Sequence, residues 1–350
     1  MLGRRSSALI GLDVGNKHVK AAQLARSGSG WRLVAASTID RVDSSDLSQA
    51  EVNQIAEVLG RQGFEGERIV LAVPDDQLLS GILDLPPRDS GAPIEQLAKM
   101  ELARTHKCDP NQFEVACWDL PAAKRAGTGM QVMAAGCVHQ KADELLDMFE
   151  AAGLTCQALD VRGCATVRAC EPLWRGQSGV SAVLDLGWSG AVLLVVYQGV
   201  IVYQRMLPEG GIGRIHEVLC GSMELDDDVA KFVLCEVGLG EAVPSNWANW
   251  EGLTEVRSMI EEHIRALGPE LGTLFSYIGH RYPDAPIERL LMTGGGAKIK
   301  GLVEHLGNVV DCKTAAVFPE EIGDVPVALA EAAREPAMVT AIGLALFTES

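Results

Sequence analysis

Two aspartates, Asp13 and Asp185, each stand two residues before a glycine at the end of an apolar run. The first lies in A-L-I-G-L-D-V-G-N-K-H-V-K-A-A-Q-L with Gly15, and the second in S-A-V-L-D-L-G-W-S-G-A-V-L-L-V-V-Y with Gly187. A tight Asp-x-Gly turn aims consecutive backbone N–H groups into one concavity suited to phosphate oxygens. Glycine serves there because φ is positive or because a ligand comes close to the backbone. A carboxylate repels phosphate, so each aspartate is expected to hold water around Mg2+, which keeps most of its hydration. Asn16, Lys17 and Lys20 follow the first turn; Trp188, Ser189 and Gly190 follow the second. Lys17 and Lys20 fall on opposite sides of an alternating strand, so one is expected to reach phosphate and the other to face solvent. A late strand, L-L-M-T, ends in Gly294, Gly295 and Gly296, with Ala297 and Lys298 after them, the pattern of a loop that takes phosphate or adenosine. Taken singly, each motif is also an ordinary turn. Their order and duplicated context point to a cradle for ATP with Mg2+, Asp13 and Asp185 being the metal residues.

The elements that must position these residues repeat. Residues 8–40 read as a three-stranded meander with Gly28-Ser29-Gly30 as its second turn, and a second meander starts near Val180 and turns at Gln198-Gly199. Between them, Leu47 to Gly60 has helical spacing and Arg68 to Pro74 reads as a buried strand. The composition then shifts. Leu78 to Leu85 is a strand, a helix runs from Pro93 to about Lys107, Phe113 to Leu120 and Met130 to Val138 pair across the basic loop Lys124 to Gly129, and a helix covers Gln140 to Ala152. A helix over Arg162 to Leu173 precedes the second meander. Ile212 to Val237 and Glu255 to Arg281 read as long helices, another starts at Gly301 to Leu306, and Ala337 to Phe347 is a last helix of small residues. The expected organisation is a first lobe over 1–77, an inserted small α+β subdomain over 78–153, a return to the first lobe over 154–179, a second lobe over 180–336, and a C-terminal helix over 337–350 that rejoins the first lobe.

Composition narrows the function. Two lobes suit 350 residues, and a hydrophobic share of 47% with aromatics at 5% suits an α/β protein. The formal charge of -17 opposes nucleic-acid binding, which needs clustered Lys and Arg, and opposes direct docking on an anionic bilayer. The 9 cysteines form no C-x-x-C pair, which fits reduced thiols rather than a metal site. The start M-L-G-R-R-S-S lacks a signal-peptide core, and the apolar run Ala191 to Tyr203 is too short to span a bilayer. A cytoplasmic protein that meets a membrane only through a partner is the expectation. His18, His216 and His263 are isolated and read as structural or surface residues.

The order of first Asp-Gly hairpin, inserted subdomain, second Asp-Gly hairpin and Gly-rich loop resembles the actin-like ATPases of the FtsA type. Within them the chain is similar to the PilM family of type IV pilus assembly (competence) proteins. The resemblance is carried by G-L-D-V-G-x-x-x-V-K at 11–20, L-P-P at 85–87, A-A-G-L at 151–154, D-V at 160–161, E-G-G at 209–211, L-M-T-G-G-G-A-K-I-K-G-L at 291–302 and A-I-G-L-A-L at 341–346. It implies a bilobed actin-like fold of duplicated ribonuclease H-like domains, with ATP and Mg2+ between the lobes. Asp13 and Asp185 would match the two phosphate loops, Gly210 and Gly211 would follow the second hairpin, and Gly294 to Ala297 would match the adenosine loop. Asp228 and Lys231, in L-D-D-D-V-A-K, would meet the ribose and base. The resemblance also implies an adaptor that takes the short cytoplasmic N-terminal tail of a PilN-like inner-membrane protein in a groove beside the insert. Competing roles for the insert are a structural cap and self-association. Competing roles for the chain are an FtsA-like cell-division protein, which ends in a membrane-targeting helix, and a sugar or carboxylate kinase, which needs an acceptor-site base. A secretion-system relative of the GspL type carries a membrane span after the actin-like part. Two residues depart from the family pattern. Arg162 stands where an acidic residue is usual, and a permanently charged guanidinium cannot act as a general base, so hydrolysis is expected to be negligible. Trp188 replaces a small residue after the second glycine and is expected to crowd the phosphates.

Overall fold

The computed structural model describes residues 8–28, 30–42, 46–122, 129–240, 247 and 250–348. The expected turn residue Ser29, residues 124–128 of the basic loop, the N-terminal M-L-G-R-R-S-S and the last two residues lie outside them.

Apolar runs broken by glycine set the strands. The first four are β1 (Ile10–Val14), β2 (His18–Ser27), β3 (Gly30–Asp40) and β4 (Arg68–Ala72). The insert supplies β5 (Leu78–Leu85), β6 (Phe113–Asp119) and β7 (Met130–Val138), after which β8 (Thr155–Asp160) returns to the first sheet. The rest are β9 (Val180–Leu186), β10 (Ala191–Tyr197), β11 (Val200–Leu207), β12 (Ile287–Thr293) and β13 (Lys313–Ala316). Two five-stranded sheets have matching orders, β3-β2-β1-β4-β8 and β11-β10-β9-β12-β13. In each, a hairpin meander pairs antiparallel and the later two strands run parallel to its first strand. The duplication read from the two Asp-Gly stretches is thus a duplication of whole sheets.

The second meander is the more enclosed. Residues Ala191 to Val196 of β10 are all buried, as a Val- and Leu-rich strand covered on both faces must be. Its hairpin closes at Gln198 and Gly199, both with positive φ, as a tight two-residue turn requires. The insert is a three-stranded sheet in the order β5-β7-β6, covered by the helix Ile94–His106, which buries Ile94, Ala98 and Leu102 against it. The insert also reaches the second lobe. Trp118 donates to the Ile201 carbonyl at 3.5 Å, and Arg281 bonds Gln131.

Two strands are absent from the sequence reading. β8 was hidden inside T-C-Q-A-L-D, where only Asp160 is buried, and β13 is a four-residue edge strand of Lys, Thr and Ala. The long helices are also divided. Ile212 to Val237 splits into Ile212–Met223, Asp227–Phe232 and a π-helical turn over Val233–Val237, because Glu224 takes a left-handed conformation that ends the first segment. Glu255 to Arg281 divides at Ala266 into Leu253–Arg265 and Leu267–Arg281. Among the described residues no helix is long and apolar enough to cross a membrane.

The C-terminal helix Val339–Ala345 is packed into the first lobe. It packs against Arg162–Cys170 and crosses β1, with small residues at every crossing. Thr166 and Thr340 share a buried 2.9 Å hydrogen bond between the two helices, and Arg168 donates to the Gly343 carbonyl at 2.8 Å. Arg162 is the first residue of the packed helix, so this crossing fixes where its side chain starts.

Candidate nucleotide cleft

The two Asp-Gly turns face each other across a cleft of about 1300 Å³ lined from both lobes. Asp13, Gly15, Asn16, Lys17 and Lys20 line one wall. Asp185, Gly187, Trp188, Ser189 and Gly190 line the other. Gly294, Gly295, Gly296, Lys298 and Lys231 complete it. Most of the residues selected from sequence therefore meet in one place.

Each turn is built by its sheet. Asp13 pairs with Lys20 across β1 and β2, and Gly15 N–H closes the turn onto the His18 carbonyl at 3.1 Å. Arg41 braces it from just beyond the end of β3, donating to the Gly15 carbonyl at 3.3 Å and to Glu51 at 3.1 Å. In the second lobe Gly187 N–H bonds the Gly190 carbonyl at 3.0 Å, and the Gly187 and Trp188 carbonyls accept from Ile212 and Gly213 at the start of the next helix. Neither Gly15 nor Gly187 has positive φ. They are required for closeness instead: a Cβ would lie 3.0 Å from the His18 carbonyl oxygen at Gly15, and 2.9 Å from that of Gly190 at Gly187.

Gly294 meets both requirements. Its φ is 79°, and a Cβ there would lie 2.4 Å from Asp185 Oδ1 and 2.5 Å from the Leu186 carbonyl oxygen. Gly296 is held 2.7 Å, measured from its would-be Cβ, from Ile212 and Leu186 side chains. The glycines thus let the loop press against the second Asp-Gly turn, and Gly294, Gly295 and Gly296 all line the cleft.

Several expectations need correction. Lys17 and Lys20 both reach the cleft: the strand begins at His18, so Lys17 belongs to the turn and strand alternation does not govern it. Lys17 crosses the cleft to Asp227 at 3.5 Å and lies 5.0 Å from the Trp188 ring centre. Asp228 is exposed and outside the lining; the acid that this helix turns toward the cleft is its neighbour Asp227. Gly210, Gly211 and Ala297 are buried behind the walls. Gly211 backs the second turn so closely that a Cβ would lie 2.6 Å from Ser189. Trp188 lines the cleft while packing on Gly213 and His216, and His216 is also 3.1 Å from the Asp227 carbonyl. Arg41, Asp75, Asp227 and Thr293 were not selected from sequence. Thr293, beside the glycine run, and Asp227, within L-D-D-D-V-A-K, carried a local signal.

The floor is a charge cluster. Arg162 Nη1 bonds Asp13 Oδ1, and its Nη2 donates to the Val14 carbonyl at 3.2 Å. Lys20 Nζ lies 3.4 Å from Asp13 Oδ2, and Arg162 Nε lies 3.4 Å from Asp75 Oδ2. Asp185 opens slightly to the cleft and accepts from Thr293 at 3.2 Å. Burial opposes the charge on Asp13, but Arg162 and Lys20 outweigh it and hold the carboxyl below its ordinary range. Enclosure by protein pushes Asp185 up; Arg162 opposes this and Asp13 adds to it.

These shifts have opposite signs in stability. Asp13, depressed in the fold, contributes stability above its unfolded value and loses it as pH falls through the folded value. Asp185, raised in the fold, contributes only below its unfolded value and loses that as pH rises through the folded one. At pH 7 the Asp185 charge is therefore a cost. Asp13→Asn is expected to lower stability by about 3 kcal/mol, the lower end for breaking a buried ion pair, and Asp185→Asn to raise it. Urea unfolding of both variants at pH 7 checks this; shifts in the same direction would refute it.

The sequence pattern of the family described as "Type IV pilus assembly protein PilM" matches residues 11–349. The chain resembles the solved "PilM-PilN type IV pilus biogenesis complex" with TM-score 0.77 and 21% identity, over 97% of this chain and 98% of that one. It also resembles MreB5 of Spiroplasma citri bound to ADP, with TM-score 0.52 and 12% identity over 97% and 95%. Ethanolamine utilization protein EutJ from Carboxydothermus hydrogenoformans gives TM-score 0.51 and 16% identity over 97% and 89%. The fold is bilobed and actin-like.

Proposed function

The chain belongs to the PilM family of type IV pilus assembly proteins, and from that premise we propose that it is a nucleotide-binding adaptor of a pilus or related secretion or competence apparatus. It binds ATP between the lobes and the cytoplasmic N-terminal tail of a PilN-like inner-membrane protein at the insert, which brings it to the inner face of that membrane. The supporting observation is the cleft, where two phosphate-type turns, the Gly294 cradle and the cations Lys17, Lys20 and Arg162 converge. Turnover is slow or absent, because Arg162 stands in the water-orienting position and positioned acid–base groups contribute about 10²–10⁴ in rate.

Tail binding fits the insert's topology. In the order β5-β7-β6 both outer strands have a free ladder side within that sheet, and an extended peptide gains affinity by adding to such an edge. Ordering the tail costs free energy, so micromolar affinity is expected, on the order of -8 kcal/mol. A labelled PilN N-terminal peptide titrated into the whole protein and into a folded variant lacking the insert tests the site. Binding by the whole protein alone supports it. Equal binding by both places the tail elsewhere, and binding by neither removes the adaptor reading.

A further inference from the structure

The first of the two acidic turns expected to hold magnesium is already occupied by cations of the chain itself. Both oxygens of Asp13 are engaged, Oδ1 by Arg162 and Oδ2 by Lys20 at 3.4 Å. Mg2+ demands near-ideal octahedral geometry and oxygen ligands, mostly carboxylates and waters. A divalent ion at Asp13 would have to displace the guanidinium or sit beside it, like charge against like. The residues present therefore do not fit the expected ion at Asp13.

We propose that this chain binds its nucleotide without a divalent cation, the Arg162 guanidinium supplying the positive charge at the phosphate end of the cleft. This deepens the nucleotide reading above and rests on it. Position and donor count both support it. Arg162 opens the helix Arg162–Cys170, which is locked to the C-terminal helix through Thr166 and Thr340, and its side chain is only 15% exposed. It is thus a fixed charge on the cleft floor rather than a surface arginine that swings into place. A guanidinium has five N–H donors in a planar fork that matches phosphate oxygens. Here Nη1 spends one on Asp13 and Nη2 one on Val14, leaving one hydrogen on each terminal nitrogen for a phosphate oxygen. Lys20, on the other oxygen of Asp13, and Lys17, which lines the cleft and pairs with Asp227, add two further cations. Arg162 and Lys20, which take the oxygens of Asp13 from a metal, favour metal-free ATP, which carries more negative charge than its magnesium complex.

Asp13 and Asp75 then have a different task from ligating a metal. They hold the guanidinium in place from two sides, with Asp75 Oδ2 3.4 Å from Nε. An acidic residue at 162 would reverse the balance, adding a fourth carboxylate to Asp13, Asp75 and Asp185, and only a bound cation could then relieve the cluster.

Calorimetric titration of the full chain with ATP and with ADP, in excess EDTA and in excess MgCl2, tests the proposal. The wild type is expected to bind with affinities within about threefold of each other in the two media. Arg162→Glu is expected to bind at least about tenfold more weakly in EDTA and to recover in MgCl2. Arg162→Gln, which removes the charge without adding an acid, should weaken binding in both media and guards against a Glu variant that fails to fold. A wild type whose affinity falls about tenfold or more on chelation overturns the proposal and leaves the nucleotide reading standing. A wild type that binds nucleotide in neither medium overturns both.

Discussion

Gly343→Ala is expected to destabilise the chain by roughly 3 kcal/mol or more, at or above the upper end for overpacking. Gly343 lies where the C-terminal helix Val339–Ala345 crosses Arg162–Cys170, and a Cβ there would fall 1.8 Å from the Ala165 carbonyl oxygen and 2.4 Å from its carbon. Those are backbone atoms, so no rotamer change relieves the clash. The helices would have to separate. Separation breaks the buried Thr166–Thr340 bond and the Arg168 bond to the Gly343 carbonyl. The helix cannot retreat the other way either. On its far side Gly11 of β1 leaves only enough room that a Cβ would lie 2.1 Å from the Ala341 carbonyl oxygen. A helix held between two glycine contacts is pinned, and a domain with ~5–15 kcal/mol of stability has little margin for moving it. Urea midpoints of wild type and Gly343→Ala measure the effect; a loss below about 1 kcal/mol, the middle of the range for ordinary substitutions, would show that the crossing relaxes. Because Arg162 starts the displaced helix, any folded fraction should also lose affinity for ATP.

This pinned crossing explains what the sequence could and could not reveal. A-I-G-L-A-L reads as a helix of small residues, and the smallness is the whole signal of close packing. The partners of that packing are remote in the chain, Arg168 being 175 residues from Gly343. Local pattern found the Asp-Gly turns, the Gln198-Gly199 hairpin and the glycine loop, because turn chemistry is written in adjacent residues. At Gly15 and Gly187 it leaves positive φ and close approach open, and the structure shows close approach, of neighbouring protein backbone, without positive φ. It placed Lys17 by strand alternation although the strand had not yet begun, and it missed Asp227 by one position because neighbouring helix residues differ by about 100° in direction. Arg162 was singled out by its place after Asp160. Its bond to Asp13, across 149 residues, was not legible. That pairing decides whether Asp13 is a metal ligand or an anchor for a guanidinium, and it belongs to the tertiary structure alone.

Gly294→Ala is expected to weaken nucleotide binding by roughly a hundredfold or more while leaving the two sheets folded. Gly294 adopts φ 79° and ψ 172°, a region essentially confined to glycine. Alanine there incurs about 1–3 kcal/mol of backbone strain before any contact is counted. Its Cβ would also press on Asp185 Oδ1 and the Leu186 carbonyl, at 2.4 and 2.5 Å. The loop can yield only by swinging away from the second Asp-Gly turn, and the strain therefore falls on the site. Gly294 N–H bonds the Pro336 carbonyl at 3.3 Å, a long bond that a displaced loop would lose. Behind the loop, β12 stays paired with β9 from Leu290 to Thr293, so the fold has no reason to come apart with it. A shift of a few tenths of an ångström at Asp185 also lengthens its 3.2 Å bond from Thr293 and leaves a carboxylate that burial already disfavours with one partner fewer. The expected result is a modest fall in melting temperature, with ATP affinity reduced by roughly a hundredfold or more, about 2.7 kcal/mol. Gly295→Ala is the control: a Cβ there meets no atom within 4 Å and φ is not positive, so stability should hold. Calorimetry on both variants decides the matter, and wild-type affinity in Gly294→Ala would mean that the nucleotide does not lie against this loop.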